Sequence, residues 1–279
     1  MSHCTVLGGG GYIGGHLVTH LRRQGWDCRV PARGDESYLA HDMGVVFYCV
    51  GLTADFRTRP FETVEAHVGL LERVLRQGRF ERLVYLSSTR VYMGAADTAE
   101  DQVLCAQPGN ADDLYKLSKL MGESLALHSG RPCVVARLSN VVGGANGNPD
   151  SFVYSLLQDA RQGQIILRSD PRSAKDYIHV ADVVQSLAQL ALGSQHQLYN
   201  VASGVQIAHR QWLELLATGT GCSWAVVPDA ACHLALPINV QRLSAEFSWS
   251  PRDVLQAMAP ELANSNHPTT TPSSRATHL

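Results

Sequence analysis

Tyr115 and Lys119 stand four residues apart in a 279-residue chain, and a glycine loop at Gly8, Gly11 and Gly14 opens it. A tyrosine phenol titrates near pH 10 and is a poor acid or base at neutral pH. A lysine at i+4 lies on the same helical face. Its charge favours tyrosinate and lowers the phenol's pKa. Such a pair suits proton transfer to and from an oxygen. The glycine loop supplies what that chemistry needs beside it, a bound dinucleotide to carry hydride. Gly8 allows the tight turn, Gly11 lets the backbone approach a pyrophosphate, and Gly14 lets the helix pack closely on the strand. The phosphates meet the free N–H groups of the first helical residues, Tyr12 and Ile13, where the dipole adds roughly 0.3–1 kcal/mol per charge. A glycine-rich turn without a ligand, or a surface helix that merely contains Tyr and Lys, accounts for either feature alone but not for both together.

The elements that must position these groups follow from periodicity. Cys4 to Leu7 is a short apolar run suited to a buried parallel strand. From Tyr12 to Gln24, Ile13, Leu17, Val18 and Leu21 fall on one helical face. The loop therefore lies between strand and helix, the context the fingerprint requires. Further strands are expected near 28–32, 44–50, 82–87 and 132–137, and further helices near 61–77, 112–128 and 151–162. The alternation predicts an α/β fold, a Rossmann-type doubly wound parallel sheet. A small C-terminal substrate-binding lobe gathers a strand near 164–168, a helix over 180–192, a strand near 197–201 and a helix near 208–218. We divide the chain into a dinucleotide-binding part over 1–140, a lobe over 141–263 interleaved with it, and a Ser/Thr/Pro-rich disordered tail over 264–279.

Composition narrows the function classes. With 45% hydrophobic residues the chain can bury a large core. A net charge of −2 and no long basic run give no signature of nucleic acid or an anionic membrane. Apolar runs are strand-length, too short to span a bilayer, and the N-terminus carries no signal-like stretch. Seven scattered cysteines, none in C-x-x-C, fit a reduced, cytoplasmic protein. Among twelve histidines, His16 and His20 are four apart, but no ligand spacing points to a metal.

Five segments in order, the glycine loop and four later ones, carry a family resemblance. Beyond the glycine loop and Tyr115-x-x-x-Lys119, residues 83–92 read as a strand followed by S-S-x-x-V-Y, and 137–143 resemble R-x-x-N-x-x-G. Residues 175–183 are similar to R-D-Y-I-H-V-x-D-V, and 246–251 to E-L-G-W-x-P. Together, from about residue 4 to about 262, they resemble the extended short-chain dehydrogenase/reductase superfamily of nucleotide-sugar epimerases, dehydratases and reductases. The resemblance implies that Ser88 is the catalytic Ser/Thr, holding the sugar oxygen at the carboxyl end of a strand, where ligands of open α/β sheets bind. Tyr115 is then the proton donor or acceptor, and Lys119 also bonds the nicotinamide ribose. Asn140 and Lys175 match positions that contact the nucleotide-sugar, Lys175 standing where relatives often carry an arginine and lacking its bidentate fork. Arg172 is near enough in sequence to contribute. His179 reads as a cap rather than a chemical group. His67 occupies a position where relatives often have an asparagine packed against the cofactor.

Two departures matter. NAD enzymes of this fold place an acid at the end of the second strand; here the chain reads Arg29-Val30-Pro31-Ala32-Arg33. With no carboxylate to repel a 2′-phosphate and Arg33 to pair with it, NADP is expected over NAD; the alternative is that Asp35 or Glu36 bends back to the ribose. Only eleven residues separate Arg33 from Val45, which predicts a trimmed sheet edge, with Asp42 a candidate for adenine contact. The Asp-Glu pair of the 4,6-dehydratases is replaced by Thr89-Arg90, which argues against dehydration. The remaining readings, in order, are an NAD(P)-dependent nucleotide-sugar epimerase, an NADPH-dependent keto-nucleotide-sugar reductase, and a non-catalytic dinucleotide-binding redox sensor. A homodimer through the helices near 61–77 and 112–128 is implied by the same resemblance.

Overall fold

The computed structural model describes residues 2–144, 147–148 and 151–264. The elements of the first half are β1 (His3–Leu7), α1 (Tyr12–Arg23), β2 (Asp27–Arg29), β3 (Val45–Tyr48), α2 (Pro60–Val64), α3 (Leu70–Gln77), β4 (Arg82–Ser88), α4 (Asp113–His128) and β5 (Cys133–Leu138). Then come β6 (Asn140–Val142), α5 (Phe152–Arg161), β7 (Gln164–Leu167), β8 (Ala174–His179), α6 (Val180–Leu192), β9 (Leu198–Val201), β10 (Gln206–Ala208), α7 (His209–Thr220), β11 (Ser223–Val226), α8 (Gln241–Phe247) and α9 (Val254–Asn264).

Six strands form one parallel sheet in the order β2-β1-β3-β4-β5-β9. Period-2 alternation divides their side chains between two cores. Val6, Phe47, Val84 and Val134 pack with Leu17 and Leu21 of α1 and Val183 and Leu187 of α6. Val46, Tyr48, Leu83, Tyr85 and Val135 pack with Leu71 and Val74 of α3 and Ala126 of α4. Burial on both faces explains why these strands read as unbroken apolar runs.

The lobe carries its own core, with Trp212 and Leu213 of α7, Leu156 of α5, Tyr177 of β8 and Met258 of α9. Its sheets are β10-β8-β6 and β11-β7. Two segments assigned to the lobe by sequence belong elsewhere. β9 pairs with β5, Val135 opposite Leu198, and α6 covers the large sheet beside α1. The expected helix over 61–77 is interrupted by a π turn over Glu65–Gly69, whose Ala66 and His67 carbonyls accept hydrogen bonds from Tyr48 (2.7 Å) and Tyr85 (3.2 Å). The expected tail lies outside the described residues beyond Asn264, which itself ends α9.

The sheet edge is trimmed. β2 has three residues, and the stretch to β3 holds a 3-10 turn over Ser37–Ala40 with an isolated bridge between Asp42 and Arg79. The Asp42 carboxylate accepts from Gly44 N–H at 3.0 Å and lies 3.7 Å from His3 Nε2, so it is engaged in the turn.

Candidate active site

The glycines divide by what forces them. A Cβ on Gly14 would lie 2.3 Å from the Gly8 carbonyl oxygen, and one on Gly8 would lie 2.9 Å from the Cys49 backbone, with Gly8 at φ +78°. Packing alone fixes both. Gly10 faces open space and Gly11 meets only the Gly8 oxygen at 3.3 Å, so that side of the loop is free for a ligand to approach. Gly11 is the N-cap of α1, offers no side-chain cap, and is followed by a first turn with no acidic residue. The N–H groups of Tyr12, Ile13 and Gly14 have no intrahelical acceptor. An open cradle of backbone donors at a helix N-terminus fits the pyrophosphate of a dinucleotide.

β4 ends at Ser88, which caps a 3-10 turn over Thr89–Tyr92 by accepting from Arg90 N–H at 3.2 Å. α4 brings Tyr115 to the same place, its phenol near enough to Ser88 for that hydroxyl to favour the ionised form. Tyr115 is 3% exposed and Lys119 4%. Lys119 Nζ donates to the Leu86 carbonyl at 2.9 Å and lies 6.0 Å from the Tyr115 ring centre. Ser88, Tyr115 and Lys119 are therefore brought together. Their electrostatics differ from the sequence expectation. Burial raises the Tyr115 pKa, and the influences that pull it back are the Ser88 hydrogen bond and the Arg90 charge. Burial also lowers Lys119 to about 7, against the raising charges of Glu123 and Cys49.

Buried hydrogen bonds surround this triplet. His67, fully buried in the π turn, accepts from Leu52 N–H on Nε2 (3.2 Å), so Nδ1 carries the proton and donates to Ser118 Oγ (2.8 Å). Ser118 in turn donates to the Tyr115 carbonyl (2.9 Å). Burial first, then the Lys119 charge, lowers His67 to about 2, so the ring stays neutral. Behind Ser88, Arg137 makes a two-pronged contact with Glu123 (3.0 and 2.7 Å) and donates to the Tyr92 phenol (2.7 Å). Ser87 donates to the same carboxylate, and the Tyr92 hydroxyl donates to Asn200 Oδ1 (2.8 Å). Glu123 lies eight residues beyond Tyr115 on one face of α4, a spacing the sequence displays. Phe56, which packs on Tyr115 with ring centres 5.5 Å apart, had no signal in the sequence.

On the substrate side, Asn140 is exposed on β6 and spends its amide on the Asp176 carbonyl (2.7 Å), which leaves its carbonyl oxygen available. Lys175 lies partly buried on β8 opposite Ile207, its pKa lowered by burial and by Arg90. Arg172 is clasped by Asp170 through three contacts of 3.0, 3.1 and 2.7 Å, so its charge is already answered. His179 caps α6, accepting from Ala181 N–H at 3.2 Å, and its other nitrogen meets Glu261 at 3.1 Å. Arg33 is exposed beyond β2 and pairs with no carboxylate among the described residues. Asp35 accepts from Ser37 N–H at 2.9 Å and Glu36 pairs with Arg73 at 2.9 Å, so both nearby acids are occupied. Among the described residues, no group of His, Cys, Asp and Glu gathers as a metal site, and no helix is long and apolar enough to cross a membrane.

A doubly wound sheet with a glycine cradle at its first turn, and with Ser88, Tyr115 and Lys119 gathered near its carboxyl edge, is the architecture of dinucleotide-binding α/β proteins. The chain belongs to the NAD dependent epimerase/dehydratase family, whose sequence profile matches residues 4–202. It is 30% identical over 178 residues to the GDP-6-deoxy-D-mannose reductase of Pseudomonas aeruginosa, a match covering 59% of this chain and 57% of that enzyme. It is 28% identical over 239 residues to the dTDP-4-dehydro-6-deoxy-D-allose reductase of Streptomyces bikiniensis, covering 79% of this chain and 73% of the other. Among solved structures, MoeE5 in complex with UDP-glucose and NAD has the same fold, with a TM-score of 0.77 at 23% identity over 93% of this chain and 97% of that one.

Proposed function

We propose that this protein is an NADPH-dependent reductase of a keto-nucleotide-sugar. The observation that carries this reading is the end of β2, where Arg33 stands unpaired while Asp35 and Glu36, the acids able to reach an unphosphorylated ribose, are bound elsewhere. A guanidinium there favours a 2′-phosphate. The two reductases among its relatives support the same direction.

The residues divide the work. Gly10, Gly11 and the first N–H groups of α1 hold the pyrophosphate, Arg33 the 2′-phosphate, and Lys119 the nicotinamide ribose. When bound, the reduced cofactor supplies the hydride. Ser88 accepts from Arg90 N–H, which holds its hydroxyl at the strand end beside Tyr115, where it hydrogen-bonds the substrate oxygen. Tyr115 then donates its proton to that oxygen as the carbonyl becomes a hydroxyl. Asn140 and Lys175 bind the nucleotide-sugar itself. An epimerase would use the same three groups twice, oxidising a hydroxyl and reducing the ketone from the other face. The assembled Ser88–Tyr115 pair favours either enzyme over a non-catalytic sensor.

Identifying the ligand of the purified protein tests the choice. An empty protein that binds NADPH more tightly than NADH supports the reductase. Tightly held NAD(H), released only on denaturation, makes it an epimerase and removes Arg33 from the cofactor site. The reading includes a homodimer through the α2–α4 face. There Phe61 is 86%, Met121 55% and Val64 43% exposed, an apolar surface that a second copy would cover. Sedimentation of a monomer would rule it out.

A further inference from the structure

Resting on the reading of Tyr115 as the acid–base group, we propose that Arg90 is its positioning residue: the side chain supplies a lasting positive charge over the phenol ring while the backbone aims Ser88. The guanidinium carbon lies 5.1 Å from the Tyr115 ring centre, nearer than Lys119 Nζ at 6.0 Å. The Arg90 N–H donates to Ser88 Oγ, and the Ser88 hydroxyl lies near enough to the phenol to favour its ionised form. One residue thus touches both members of the pair, from a turn only two residues past the strand end.

The division of labour with Lys119 follows from burial. Lys119 is enclosed, committed to the Leu86 carbonyl, and holds its proton weakly near neutrality. A guanidinium is never deprotonated in a protein. Arg90 is exposed along the cleft side and forms no ion pair among the described residues. Its guanidinium carbon lies instead 5.4 Å from the centre of the Phe56 ring, which also packs on Tyr115.

Among the described residues, the other groups around the phenol leave Arg90 without an ion-pair partner. At the N-cap of α4, Asp112 is paired with Arg57 and also feels the Arg90 charge, and within α4 Glu123 is paired with Arg137. From the π turn, His67 meets the ring edge-on at 5.3 Å and is neutral. On β4, Tyr85 is un-ionised, its pKa raised by burial. From β8, Lys175 feels Arg90 but is partly buried and lowered. Cation–π attraction strengthens as the ring becomes phenolate, so the contact favours the ionised form.

The test titrates Tyr115 directly. Ring-13C tyrosine is incorporated, and the Tyr115 resonance among nine tyrosines is assigned by its loss in Y115F. R90M keeps an unbranched side chain and removes the charge; R90K keeps the charge. The Tyr115 titration should move up by about half to one pH unit in R90M, allowing for solvent on one side of the guanidinium, and stay near wild type in R90K. R90M titrating with wild type, R90K moving as far as R90M, or a wild-type Tyr115 that stays un-ionised until the protein unfolds in alkali would each overturn the proposal. R90Q repeats the measurement should R90M misfold. No sugar substrate is needed, so such a failure leaves the reductase reading standing.

Discussion

The carboxyl edge of β4 and β5 and the β2 edge, which would meet the same dinucleotide on the proposed reading, are built oppositely. At β4 and β5, Ser87, Glu123, Arg137, Tyr92 and Asn200 close a buried set of hydrogen bonds directly behind Ser88. Arg137 and Glu123 are each 4% exposed at the side chain. At β2 the strand is three residues long, and Arg33 is exposed with no ion pair among the described residues, its charge felt by Glu62. On the proposed reading, the chemistry would lie where packing over-determines geometry, and the choice between cofactors where a single exposed side chain would set it. Reaction type should therefore resist substitution around β4 and β5 until stability fails, whereas cofactor preference should change with little effect on the fold.

The sharpest break is at the phenol. Y115F should lower turnover of a keto-nucleotide-sugar by about two to four orders of magnitude, with NADPH affinity unchanged in a fluorescence titration. Unaffected turnover would take Tyr115 out of the mechanism. Next in size, R137M leaves the Glu123 carboxylate buried without its partner and should destabilise the fold by about 3–5 kcal/mol in urea. A double variant with E123Q should recover part of that, because the uncompensated charge is gone. A loss below about 1 kcal/mol for R137M would mean the network does not hold the strand ends.

Lys119 sharpens the comparison through pH. Its native pKa is lowered to about 7, while an unfolded lysine titrates near about 10.4. Between these values the unfolded chain binds the extra proton, so this group's contribution to stability rises with pH. Below the native value the burden of the buried charge is present in full. K119M should therefore be inactive yet more stable than wild type near neutrality, and their unfolding midpoints should converge toward pH 10. A constant gap across that window would refute the lowered pKa. The smallest change is at the edge. R33A should reduce the preference for NADPH over NADH about tenfold, near 1.4 kcal/mol, with an unchanged thermal midpoint. Unaltered selectivity would remove Arg33 from the site.

The sequence was legible where local rules and tertiary demand agree. β1, β3, β4 and β5 are doubly buried and show as apolar runs; the cradle shows as glycines because Gly8 and Gly14 have no alternative. The trimmed edge could be counted from the spacing alone. The strands β6, β10 and β11 could not be read, being three or four residues long, with β11 only half-buried along its length. The π turn is set by long-range donors, Tyr48 and Tyr85, that no local pattern announces. Arg90 sat inside a recognised motif and passed as the mere absence of an acid; only the placement of Phe56, from a distant loop, gives its side chain a direction.

The position of β9 in the sheet has a consequence for how the molecule is made. Its partner β5 ends at Leu138, but β9 begins only at Leu198, after much of the lobe has been synthesised. Until then a nascent chain holds β5 as an open, apolar edge with unpaired backbone groups, the kind of surface that templates association. The sheet closes late, by a long-range pairing that is slow to find. A chain interrupted anywhere between these strands would display that edge permanently, so folding yield should depend on the lobe even where the dinucleotide does not touch it.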